Sequence, residues 1–197
     1  MSELADQLYS IFSSSKFLNM EGLANEVPIF IQTYDVSEED QMEALTRALA
    51  SRLQNDGIKI AEINLFSLLL DELREEGLLD DLIADEQGFD REDLFQTLIN
   101  YADPSSRLAD RLAKKIQNPD IQITFITGVG HVFPFLRTHT LLDSIQPIMK
   151  DHPLVLFFPG EYTQVQGLGS QLRLFGSVQS KGYYRAFNLD HYHTTLK

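Results

Sequence analysis

The chain has 197 residues, a length that one hydrophobic core can serve, since single cores stay viable to about 250 residues. It contains no cysteine, which excludes disulfide staples, thiolate metal sites and cysteine nucleophiles and suits a reducing cytoplasm. The net charge of −13 is unevenly spread, with 6 Lys and Arg against 22 Asp and Glu in residues 1–100 and 10 against 7 in residues 101–197; an acidic half opposes autonomous binding to phosphate backbones and favours basic protein surfaces.

Leu4, Leu8, Ile11 and Phe12 recur at helical spacing and predict an N-terminal helix of about three turns. Acidic residues precede any lysine there, and no continuous apolar core follows, so the segment does not read as a secretory signal. VPIFIQTY (27–34) predicts a buried strand, and Ser37 with Asp40 resembles a capping box that opens a helix with the stripe Met42, Leu45, Leu49, Leu53, ended by Gly57. IKIAEI (58–63) alternates as a second strand. The leucine-rich run from Asn64 is helical and broken or bent at Gly77; Asp90 starts another helix, and Ser105 or Ser106 opens a further one that Asn118 and Pro119 stop.

Residues 121–127 predict a third strand, 134–149 a helix, and 154–158 a fourth strand. The uncharged stretch 121–136 falls short of the roughly 20 residues of a membrane span, so no direct membrane contact is expected. Beyond Gly160, LRLFGSV and YYRAFNL predict two strands of a C-terminal edge hairpin joined by QSKG. Strands alternating with helices imply an α/β fold over 1–197: one domain with a mainly parallel, helix-covered sheet, P-loop-like in texture but without a Walker motif.

ITFITGVGHVFPFLRTH (123–139) has the order of a phosphate-binding loop: strand, glycine turn, helix. Counted from Gly128, however, Phe133 and Pro134 stand where a Walker loop has its second glycine and lysine, and Phe133 also replaces the third glycine of a dinucleotide fingerprint. Two readings stay open: a small-anion site from Gly128, Gly130, His131 and Arg137, or a plain tight turn whose glycines supply unusual dihedral angles. His191 and His193 share a face at strand spacing but are too few for a zinc centre, no serine sits in GxSxG, and neither a metal nor another cofactor is expected. Asp35 and Glu161 follow the first and fourth strands, where open α/β sheets place ligand-binding groups. No catalytic residue is assigned. Phe158, Tyr162, Tyr183, Tyr184, Arg185 and Phe187 concentrate aromatics and a cation near a sheet edge and form a candidate partner interface, because Tyr and Arg anchor many interfaces.

Taken in order, GVGHVFPFLRTHTLLDSIQP, PLVLFFPGEYT, LRLFGS and YYRAF resemble the BrxB family of BREX (bacteriophage exclusion) systems, over essentially the whole chain and most specifically over 121–189. The resemblance implies a bacterial cytoplasmic protein acting beside other BREX proteins: a large ATPase, a DNA methyltransferase and a PglZ-like protein. It implies a non-catalytic adaptor in host DNA methylation and phage exclusion, with DNA contact indirect, and carries over no catalytic residues. The alternative expectation is a degenerate nucleotide- or anion-binding regulatory domain centred on Gly128.

Overall fold

Residues with β-branched and aromatic runs supply a sheet whose path is β2-β3-β4-β1-β7, every neighbouring pair parallel. Its strands are β1 (Ile29–Tyr34), β2 (Ile60–Asn64), β3 (Ile123–Thr127), β4 (Leu154–Val165) and the short β7 (Phe187–Asn188). The computed structural model describes residues 2–23, 26–84, 88, 90–103, 107–149, 151–165, 169–179 and 184–195. β1 and β4 run together from Ile29 opposite Leu154 to Tyr34 opposite Pro159. β4 then continues past the sheet, and from Gly160 to Val165 it pairs antiparallel with β5 (Gly169–Leu174), which pairs in turn with β6 (Val178–Gln179).

The period of two in a strand sends alternate side chains to opposite faces. Phe30, Phe125, Val155 and Phe157 meet α1 (Ser2–Phe12), α2 (Ser15–Leu18) and α3 (Glu39–Asn55) on one face. This layer is aromatic: Phe12, Phe17, Phe30, Phe125 and Phe157 form a chain of ring contacts with centroids 4.8 to 5.4 Å apart, in the range where tilted pairs attract. Ile29, Ile31, Ile126, Leu154, Leu156 and Phe158 face the other way, against α4 (Leu65–Glu75), α7 (Arg107–Ile116), α8 (Val129–Val132) and α9 (Thr138–Ile145). Two further helices, α5 (Leu78–Ala84) and α6 (Arg91–Ala102), are attached to this second layer. The fold is therefore mixed α/β with a mainly parallel sheet between helices. No helix among the described residues is long and apolar enough to cross a membrane.

Local chemistry explains where the expected elements shifted. Asp35, not Ser37, is the cap: its Oδ1 accepts the Ser37 N–H at 2.8 Å and the Ser37 hydroxyl at 2.6 Å, and a 3-10 turn (Val36–Glu38) leads into α3, which has no side-chain cap of its own. The helix expected over 134–149 is shorter, α9 from Thr138 to Ile145, and a separate short helix, α8, precedes the cis Phe133–Pro134 bond where helix had not been expected. Asp90 does open α6, accepting N–H groups of Glu92 and Asp93, and Gly77 separates α4 from α5 at φ +73°. Ser105 and Ser106 lie outside the described residues.

The C-terminal hairpin has other strands than expected. β5 turns at Phe175 and Gly176, both at positive φ, into β6. The YYRAFNL segment instead bridges Tyr184 to Ser170 and then lies beside β1 as β7.

Candidate functional site

A groove of about 580 Å³ opens where β7 and the outer half of β4 diverge, and Tyr162, Tyr184, Arg185 and Phe187 all line it. Each arrives from a different local cause. Tyr162 stands on the antiparallel half of β4 and its hydroxyl donates to the Ala186 carbonyl at 2.9 Å, tying that strand to the C-terminal segment. Tyr184 is fixed by reciprocal backbone bonds with Ser170, of 2.8 and 2.9 Å, and the Ser170 hydroxyl adds a third to the Tyr184 carbonyl. Phe187 packs its ring 5.5 Å from Phe30, while Tyr192, also in the groove, stands edge-on to Phe17 and Phe30 at 5.8 and 5.6 Å. Arg185 is exposed. Burial pushes the phenols of Tyr162 and Tyr192 above their ordinary value, so both remain neutral donors. The groove thus has an aromatic floor anchored in the core and an exposed cation at its rim.

Three members of the expected interface differ. Tyr184 borders the groove but is 3% exposed and belongs to the core, so it offers a partner almost no surface. Phe158 is completely buried in the core and has no surface to offer a partner, because the even positions of β4 in this stretch face the α4 and α9 layer. Tyr183 lies outside the described residues.

The sequence patterns also missed what holds the groove's margin. Asp190, in the 3-10 segment Leu189–Thr195, accepts from Gln32 Nε2 at 3.0 Å and from the Thr33 hydroxyl at 3.3 Å. Gln32 is 2% exposed, so this contact satisfies a buried amide and docks the C-terminal segment on β1. A glutamine inside an apolar strand is the one signal that pointed there.

The four residues of the glycine turn do not converge. Gly128 precedes α8 at φ +76°, and a Cβ there would lie 2.8 Å from Asn64 Oδ1, the same oxygen that caps α4 by accepting the Ser67 N–H at 3.0 Å. Gly128 is required for the close approach of two neighbouring strand-to-helix turns. Gly130 packs against the Phe175 ring and Pro159. His131 turns toward the first turn of α3, its Nδ1 3.9 Å from Glu39 Oε1, where Tyr34 donates to Glu39 Oε2 at 2.9 Å. Burial, then the Glu39 carboxylate, raises the Tyr34 phenol well above its ordinary value. Arg137 lines a separate crevice with Phe133, Thr138 and His139.

Asp35 and Glu161 do share an open groove of about 290 Å³ at the C-terminal end of β1, where β4 leaves its parallel pairing with β1. Both are already engaged, Asp35 as the cap and Glu161 with Arg173 at 3.3 Å. Among the described residues, no three His, Asp or Glu side chains gather as a metal ion would require.

Comparison with known proteins agrees over most of the chain. The family model described as BREX protein BrxB matches residues 61–189. A BREX protein BrxB of Bacillus cereus (strain H3081.97) is 31% identical over 193 residues, covering 96% of this chain and 97% of that protein. A BREX protein BrxB of Escherichia coli O9:H4 (strain HS) is 31% identical over 183 residues, covering 93% of this chain and 88% of that protein. No solved structure gives a significant match.

Proposed function

The chain belongs to the BrxB family of BREX proteins, and from that premise we propose that it is a non-catalytic adaptor of a BREX phage-defence assembly, holding a segment of another BREX protein in the groove beside β7. The observation that carries this reading is the convergence of Tyr162, Arg185 and Phe187 on one open groove. Tyrosine and arginine supply large contact area at low entropic cost and dominate binding energy where they cluster. The groove has a rigid floor because the rings of Phe187 and Tyr192 rest on the Phe17 and Phe30 layer, so little ordering cost opposes binding. The PglZ-like protein and the large ATPase are the first partners to test, with the methyltransferase third.

Co-expression with each of these proteins tests the proposal. The tagged chain retains the PglZ-like protein or the ATPase through a wash at moderate salt, and Arg185→Glu lowers retention by roughly tenfold, a change of about 1.4 kcal/mol. Arg185 is exposed, so the variant keeps the fold. Failure of the unaltered chain to retain either component, or full retention by the variant, removes the reading. An anion cradle at Gly128 has no comparable convergence of residues, since Arg137 lines another crevice.

A further inference from the structure

β2 is the outermost strand of the parallel sheet, and among the described residues no strand pairs with its outer edge. The Lys59 carbonyl accepts from the N–H groups of Gln122 and Ile123, so Lys59 turns its backbone toward β3. In a parallel ladder each residue sends its N–H and C=O to the same side, and successive residues alternate. Ala61 and Ile63 therefore bond β3, while Ile60 and Glu62 direct their N–H and C=O groups outward, where no described residue bonds them. Such a row is a template for a further strand, and neither proline nor bulge blunts it: Ile60–Asn64 pairs with Ile123–Thr127 without a break.

A groove of about 290 Å³ follows this edge. Glu62 shares the α3 face of the sheet with Ile60, whereas Ser67 and Asp71 of α4 and Lys115 of α7 come from the layer on the opposite face, so a cavity lined by all of them wraps around the outer side of β2. Its charged side chains are Glu43, Arg47, Glu62, Asp71 and Lys115. On the α3 side Arg47 lies 3.9 Å from Glu43 and also acts on Glu62, but burial outweighs it and holds the Glu62 carboxyl above its ordinary value. One carboxylate is in excess there. On the other side Asp71 is paired with Arg74 at 2.8 Å, which leaves Lys115 in excess, with Lys114 exposed beside it. Lys59 and Asp120, near the start of the strand, cancel one another at 3.5 Å.

We propose that an extended segment of a partner protein adds to β2 as a further strand. Its backbone bonds the outward groups of Ile60 and Glu62. A basic side chain opposite Glu62 faces α3, and an acidic neighbour, turned to the other face by the period of two, meets Lys115. The charges select this occupant. A second copy that pairs β2 with β2, antiparallel and centred on the strand, sets Glu62 against Glu62, and like charges directly opposite are unfavourable. None of these residues belongs to the groove beside β7, so this proposal stands or falls separately from that one.

Peptides of about ten residues, long enough for one strand, are tiled through the other proteins of the same BREX locus and through this chain and titrated against the full-length protein by fluorescence anisotropy. The peptides that bind carry a basic and an acidic residue in adjacent positions. Methylating their backbone nitrogens one at a time weakens binding by roughly tenfold or more at every second position and little at those between, because only alternate amides face β2. Glu62→Lys lowers affinity by roughly tenfold, and exchanging the peptide's basic residue for an acidic one restores it; Arg185→Glu leaves binding unchanged. Both positions are exposed, and circular dichroism of each variant verifies the fold. The proposal is overturned if no peptide binds, if methylation shows no period of two, or if Glu62→Lys leaves affinity unchanged. Binding confined to peptides of this chain would make the occupant a second copy and overturn it equally.

Discussion

Glu72 is a carboxylate with 2% of its surface exposed, held by the Arg111 guanidinium, which also grips the exposed Glu75. Since Glu72 and Glu75 lie on α4 and Arg111 on α7, the pair of contacts clamps two helices of one layer. A buried ion pair adds little over well-packed apolar groups, but removing one partner strands a charge away from water. Arg111→Ala is therefore expected to cost about 3–5 kcal/mol in urea unfolding, whereas Glu72→Leu with Arg111→Leu costs far less. Arg111 holds the Glu75 carboxyl below its ordinary value through the direct hydrogen bond. None of this is legible in the sequence, because 36 residues separate Arg111 from Glu75 and nothing in the spacing marks them as neighbours. The Gln32–Asp190 contact, 158 residues apart, is hidden for the same reason.

At the scale of elements, β4 joins the two sheets, and its crossing depends on Gly160. A Cβ at that position would lie 2.2 Å from the Arg173 carbonyl oxygen on β5, a backbone atom that cannot swing aside. Gly160→Ala is thus expected to displace β5 and lower stability by roughly 1–3 kcal/mol, the usual cost of forced overpacking. Thermal melting measures the loss; an unchanged midpoint would mean that β5 shifts freely. Because the outer half of β4 carries Tyr162, the same variant also disturbs the groove. The continuous apolar run 154–158 announced a buried strand, but PGEYTQV reads as loop chemistry. Only its pairing with β5 makes it strand, since ladder bonds override weak local preference.

For the molecule as a whole, pH sets two effects against each other. Lowering pH relieves the self-repulsion of a chain with net charge −13. Against that stands His152, 6% exposed, whose Nε2 is 2.8 Å from the Thr124 hydroxyl. Burial lowers its pKa below the ordinary 6.5, partly offset by Asp151. The unfolded chain therefore takes up the proton first: the His152 contribution is complete above about pH 6.5 and is lost as pH falls toward the folded value. Melting temperatures between pH 7.5 and 5.5 should accordingly drop further for the unaltered chain than for His152→Gln; parallel curves would show that His152 does not titrate on unfolding.

Much at this scale was already present in the one-dimensional pattern. Period-3.6 runs marked the main helices, alternating or continuous apolar runs marked the four long strands of the parallel sheet, the acid was visibly concentrated in residues 1–100, and the succession of segments from 121 to 189 carried the family. Those are local or compositional properties, written into neighbouring residues. The tertiary structure alone decided that Phe187 and Asn188 lie parallel to β1 rather than in a hairpin, that Phe158 points inward, and that Tyr162, Arg185 and Phe187 meet in one groove while Gly128 and Arg137 part. Such outcomes turn on which distant strand satisfies a backbone edge and which face meets the core, and both choices depend on residues far along the chain.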